Sequence, residues 1–201
     1  MSDTKQHIMK TALFLFAQSS YKDVTMKDIV EKTGLSKGAV YHYFTSKEQL
    51  FQETVEYMFF EKFFTEFEKV KHDSLHDFLK SYGEISIEFM NGLENELGEL
   101  DQERTVNVYM LLFEALAHSP GFREKALEQT KREHKAWVQA VATARESGEI
   151  KSGMSDEQIA SMFIFMGDGI GLRAILEGSV KATFFDKVSQ YWEMFYQEIK
   201  T

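Results

Sequence analysis

The stretch that decides the fold reads Thr25-Met26-Lys27-Asp28-Ile29-Val30-Glu31-Lys32-Thr33-Gly34-Leu35-Ser36-Lys37-Gly38-Ala39-Val40-Tyr41-His42-Tyr43-Phe44-Thr45-Ser46-Lys47. Thr25, Ser36 and Ser46 carry the short oxygen side chains that cap helix N-termini. Gly34 suits the left-handed turn that closes a helix. The spacing therefore predicts two helices of about two turns each around a tight glycine turn, the helix-turn-helix arrangement. The second helix of such a pair lies in the major groove of DNA, and its N-terminal residues reach base edges. Val40 and Phe44, four apart, share one face and are expected to anchor that helix to a core. Lys37, Gly38, Ala39, Tyr41, His42 and Tyr43 are left for the outer surface. Gly38 and Ala39 are small enough for close backbone approach. Tyrosine hydroxyls and histidine donate to phosphate, and tyrosine rings pack on thymine methyls. Lys47 and Thr25 join this DNA-binding set because each stands at a helix start, where free N–H groups favour a phosphate.

Outward from this stretch, apolar residues recur at three and four and strand-like alternation is absent, so the chain reads as all-α. A first helix is expected over about 3–19. The fourth starts at Lys47, with Ser46 and Gln49 as a capping box, and runs to about 70. Further helices are expected over about 72–92, 102–118, 122–147, 155–177 and 181–199, nine in total, with a loop at 94–101. The single proline, Pro120, falls in the break Ser119-Pro120-Gly121.

Composition narrows the class. With 201 residues and 43% apolar content, the chain can build a real core. It has no cysteine, which removes disulfide and thiolate chemistry. The polar N-terminus lacks a signal-peptide pattern, and no apolar run is long enough to span a membrane. A soluble, cytoplasmic protein with no membrane partner is expected. The net charge of −9 is unevenly spread: residues 1–50 hold seven lysines and five acids, +2, which leaves −11 for the remainder. A mildly basic head on an acidic body suits a head that meets phosphate.

The string from Thr25 through Gly34-Leu35-Ser36-Lys37-Gly38-Ala39-Val40-Tyr41-His42-Tyr43-Phe44 to Ser46-Lys47-Glu48 and Leu50-Phe51 closely resembles the DNA-binding head of the tetracycline-repressor (TetR) family. The likeness covers about a quarter of the chain. Val30 and Thr33 depart from it, standing where the family usually has alanines. The resemblance implies a homodimer whose three N-terminal helices bind a palindromic operator. It also implies a helical remainder that binds a small-molecule effector and dimerises, with ligand moving the fourth helix. Residues 1–46 are then a DNA-binding domain and 47–201 an effector-binding and dimerisation domain.

The body names no ligand. Phe89, Met110, Phe113, Glu114, Trp137, Met162, Phe165 and Met166 are the candidate pocket lining, since methionine and aromatic rings suit apolar molecules. They suit an ordinary core as well. Glu114, set among apolar neighbours, would favour a cationic lipophilic ligand if buried. Phe163, Ile170, Ala174, Phe184, Trp192 and Phe195, on the last two helices, are the candidate dimer interface, a four-helix bundle across two subunits. They too could face their own core.

No cofactor or metal is expected. Gly167-Asp168-Gly169-Ile170-Gly171 lacks the strand that a dinucleotide fingerprint needs, and His72 with His76 lacks a third ligand. The reading is a ligand-responsive regulator, a repressor rather than an enzyme. Its rivals are a sensor or interaction module without specific DNA binding, motivated by the acidic charge, and an enzyme using Glu114, His118 or His134. No nucleophile–base arrangement supports the latter.

Overall fold

The computed structural model describes residues 2–63, 70, 73–98, 108–177 and 183–201. Among the described residues there are nine α-helices and no strand. They are α1 (Asp3–Gln18), α2 (Met26–Thr33), α3 (Lys37–Tyr43), α4 (Lys47–Glu56), α5 (Leu75–Gly98), α6 (Val108–His118), α7 (Phe122–Glu146), α8 (Asp156–Leu176) and α9 (Thr183–Ile199). An isolated antiparallel bridge joins Ile150 to Lys200.

The caps form where the side chains allow them. Thr25 and Asp28 close a reciprocal capping box on α2, and Ser36 accepts from the Ala39 N–H on α3. Gly34 sits at φ 69°, the left-handed conformation a side chain would resist. At α4 the box is shifted: Ser46 accepts from the Gln49 N–H, but the Gln49 side chain reaches Thr45 instead.

Two boundaries differ from expectation. The α-helical part of α4 ends at Glu56 and continues as a π-helical segment, Tyr57–Phe63; residues 64–69 lie outside the described set. Helix α5 runs through Gly92 to Gly98, over part of the expected loop at 94–101. A mid-helix glycine costs about 1 kcal/mol relative to alanine. The Leu93, Glu94, Glu96 and Leu97 that follow are good helix formers, so the helix survives it. The expected start of α6 near 102 lies outside the described residues.

The chain divides into two compact units, Met1–Phe63 with Gly92–Lys125, and Phe64–Asn91 with Ala126–Thr201. This division differs from a boundary at 46/47, because α4 packs on α1 inside the first unit. In that unit Ile8, Ala12, Phe16, Ile29, Val40, Phe44, Leu50 and Phe51 are buried. Phe16 meets Phe51 edge-on at 4.9 Å. The second unit is built around Phe78, Trp137, Val141, Ile159, Phe163, Val188 and Trp192. The Trp192 indole N–H donates to the Phe163 carbonyl at 2.8 Å, tying α9 to α8. A Cβ at Gly167 would stand 3.5 Å from the Trp192 ring, in ordinary van der Waals contact.

Candidate functional site

Helix α3 presents two faces. Val40 and Phe44 are fully buried. On the opposite side Lys37, Gly38, Tyr41 and His42 are exposed, and Ala39 and Tyr43 are half-buried. A Cβ added at Gly38 would meet nothing, so the backbone is bare there. The Lys37 ammonium lies 5.5 Å from the centre of the Tyr41 ring. Tyr43 leans back toward α1, where its hydroxyl accepts from Ser2 at 3.3 Å.

The helix starts are more committed than their sequence suggests. The Thr25 hydroxyl donates to the Asp28 carboxylate at 2.7 Å and accepts from the Asp28 N–H. Hydrogen bonds from the Thr25 side chain and backbone hold the Asp28 carboxyl below its ordinary range. The Lys47 ammonium donates to the carbonyls of Tyr21 and Val24, each at 2.9 Å. Two of its three N–H donors are therefore spent inside the head, which leaves it less free for phosphate than a surface lysine. Tyr21, missed by sequence reasoning, is buried and lies under that ammonium. Burial and the neighbouring Glu48 raise the pKa of its hydroxyl.

The candidate pocket lining divides. Met110, Phe113 and Glu114 belong to the first unit; Phe89, Trp137, Met162, Phe165 and Met166 belong to the second. Glu114 pairs with His118 at 3.3 Å, and the His118 ring stacks on Tyr21 at 4.7 Å. Phe113 is exposed. Trp137 is core, 1% exposed, whereas Met162 and Phe165 point outward, Phe165 at 67%. Phe89 and Met166 are half-buried. A cavity of about 410 Å³ lies in the first unit, lined in part by His7, Met9, Leu13, Thr54 and Met58, none of them in the expected lining.

Of the expected dimer residues, Phe163, Ala174 and Trp192 are buried within their own unit. Ile170 and Phe195 are half-buried, and the Phe184 side chain lies outside the described residues. The exposed apolar residues are Met162, Phe165, Leu172 and Leu176 on α8, with Tyr191 and Met194 on α9. Helix α8 is apolar nearly all round, so periodicity could not tell the inward face from the outward one.

A second group escaped sequence reasoning. On α5 the Tyr82 hydroxyl donates to the Glu133 carboxylate of α7. Burial, reinforced by Glu133, pushes the Tyr82 hydroxyl well up. Burial also raises Glu133, with Asp168 adding to it, and burial raises Asp168 of α8. Glu133 was hidden in the run Lys131-Arg132-Glu133-His134-Lys135, which reads as a solvated face.

Among the described residues no group of acidic, histidine or cysteine side chains is placed to hold a metal. No described helix is long and apolar enough to cross a membrane.

Residues 8–54 match the family model described as bacterial regulatory proteins, tetR family. An HTH-type transcriptional regulator of Bacillus subtilis (strain 168), YfiR, is 24% identical over 190 residues, 89% of this chain and 87% of that protein. The HTH-type transcriptional repressor AcnR of Corynebacterium efficiens is 39% identical over 49 residues, 24% of this chain and 26% of that protein, so the likeness there is confined to one segment. Among solved structures, a transcriptional regulator from Saccharomonospora viridis, crystallised with choline, superposes with a TM-score of 0.71 at 17% identity and covers both chains completely. These relatives are regulators, not enzymes. Residues 8–54 thus match the head of the tetR family of bacterial regulatory proteins, and the all-helical fold is shared along the whole length with a solved regulator.

Proposed function

We propose that this regulator is a repressor that binds a palindromic operator as a homodimer and is released by a small lipophilic effector. The observation that carries this reading is the division of α3: Val40 and Phe44 wholly inward, and Lys37, Gly38, Tyr41 and His42 outward. The contact set is Thr25, Lys37, Gly38, Ala39, Tyr41, His42, Tyr43 and Lys47. Lys37, Tyr41 and His42 supply the free side chains. Thr25 and Lys47 act mainly through the backbone N–H groups of their helix starts. Residues 1–46 serve as the DNA-reading part, and 47–201 as the part that binds effector and partner.

Pairing of two copies is supported by the outward stripe Met162, Phe165, Leu172 and Leu176 with Tyr191 and Met194. Such a contiguous apolar face marks an interaction surface, and two-fold pairing of heads calls for a two-fold operator. Repression is supported by the name of the AcnR relative, and a small-molecule effector by the choline bound to the Saccharomonospora viridis regulator.

The test is selection of bound duplexes from random DNA by the purified full-length chain. Enrichment of a palindrome, bound by two chains, is the expected result. Absence of any enriched sequence would favour the module without specific DNA binding that the acidic body suggests.

A further inference from the structure

We propose that the first unit carries a binding site of its own for a small lipophilic carboxylate. The site is the cavity between α1 and α4 with its π-helical continuation, with Lys10 and Lys62 at its edge and Thr54 in its wall. The inference goes beyond the reading above: it places a ligand in the unit that holds the DNA-reading helices, and its binding does not depend on release of an operator.

The cavity measures about 410 Å³, within the roughly 300–1,000 Å³ of small-molecule sites. Helix α1 brings Met9, Lys10 and Leu13 to it; α4 and its continuation bring Thr54, Met58 and Lys62. Met9, Leu13 and Met58 are buried and make an apolar floor. Flexible methionines adapt to a guest of irregular shape. Lys10 and Lys62 are half-buried at the edge of that floor. Asp3, at the start of α1, is the one acidic residue in the described lining, so the edge is net positive.

Two observations independent of that charge mark the cavity as more than a gap in packing. The first is Thr54, which is buried and whose hydroxyl completes no hydrogen bond. A helical threonine can return its hydroxyl to the carbonyl four residues back, as Thr11 does to His7 at 2.9 Å. Thr54 makes no such bond, so a donor in the cavity wall is left for a guest. Orphaned buried polar groups are rare in folded proteins. The second is the π-helical register of Tyr57–Phe63. Residues five apart in an α-helix point about 140° from each other. The wider π turn brings Lys62 back over Tyr57, its ammonium 5.5 Å from the ring centre, and onto the cavity side with Met58. Such segments are rare and recur at functional sites.

These features select the chemistry of the guest. A hydrated inorganic anion gains nothing from a floor of methionine and leucine. A lipophilic cation would meet two ammonium groups. A hydrocarbon would leave the Thr54 hydroxyl unsatisfied. A carboxylate on an apolar body sets its charge toward the lysines and its body on the floor, and it offers oxygen acceptors to the Thr54 donor. The site also adjoins the helix-turn-helix: His7, part of its lining, donates from Nε2 to the Thr33 carbonyl at 2.9 Å, where α2 ends.

The full-length protein is titrated calorimetrically with phenylbutyrate and, separately, with its neutral counterpart phenylbutyramide. Saturable binding of the acid is expected, about tenfold tighter than that of the amide, the worth of a hydrogen bond to a charged group. Lys10→Gln combined with Lys62→Gln should weaken the acid by about tenfold and leave the amide unchanged. Thr54→Val keeps the shape of the side chain and deletes the orphaned hydroxyl. It should weaken the acid by about fivefold, while the ligand-free protein unfolds at the same or a higher denaturant concentration. The lysine pair, being only half-buried, keeps the test alive if Thr54→Val fails to fold. No binding of the acid, equal binding of acid and amide, or acid binding indifferent to the lysine pair overturns the proposal. Acid binding that the lysine pair weakens, with operator affinity unmoved at saturation, sustains the site and refutes only release of operator from this cavity.

Discussion

The Lys47 ammonium lies 4.3 Å above the centre of the Tyr21 ring and donates to the Tyr21 and Val24 carbonyls. This lysine is first a clasp between the start of α4 and the loop after α1. Lys47→Met is expected to cost about 2 kcal/mol, the range of charge-assisted hydrogen bonds. Urea denaturation followed by circular dichroism measures it. An unchanged midpoint would show the clasp to be idle.

Lys37 has no such commitment. Lys37→Ala should reduce the salt slope of operator binding by about one unit, as loss of one phosphate contact does. Lys47→Met should reduce it by less. Fluorescence anisotropy with labelled operator across a salt series compares the two. Equal slopes for both variants would contradict the roles given to them.

Phe44 is fully buried beneath the DNA-facing helix. Phe44→Ala should destabilise the first unit by about 4 kcal/mol, the usual cost of emptying a large core site. Operator binding should be lost at temperatures where the second unit, followed by its tryptophans, remains folded.

The outward stripe on α8 and α9 sets up a contrast. Phe165→Asp with Leu176→Asp should yield monomers by sedimentation velocity, with little loss of secondary structure, because both residues are exposed in the single chain. Phe163→Ala should instead lower the unfolding midpoint, since Phe163 is fully buried. A dimer that persists in the double variant would move the interface elsewhere.

Glu133 and Asp168 give a pH dependence of unusual sign. Their folded pKa values are raised, from ordinary values of 4.5 and 3.8. The folded state therefore holds protons that the unfolded chain has released. Their stabilising contribution is full below those ordinary values and is lost as pH rises through the folded ones. Tyr82 stays protonated throughout this window, its own value being pushed well up. Glu133→Gln should flatten this fall and stabilise the ligand-free protein at neutral pH. Denaturant midpoints from mildly acidic to neutral pH check it.

How much of this was legible depended on whether the deciding information was local. The inward pair Val40 and Phe44 could be read because α3 is short, well capped and divided cleanly between apolar and polar faces. The role of Lys47 could not, because the carbonyls that hold it come from residues 26 and 23 positions earlier. On α8 the local pattern was ambiguous: Phe163 is fully buried and Phe165 is 67% exposed, though both are phenylalanines in one apolar run. Glu133 shows the converse error, a carboxyl drawn inward from a stretch of charges by a tyrosine on another helix. Gly92 suggested an end to α5 that its good helix-forming neighbours overrode.

Tyr21 holds Lys47 over its ring and also stacks against His118, the residue that ends α6 and pairs with Glu114. One aromatic post thus carries two tenants, one from the helix that starts at Lys47 and one from the helix that closes before Pro120. Substituting Tyr21 would therefore remove a packing partner from both helix ends at once, while leaving every residue on the DNA-facing side of α3 unchanged.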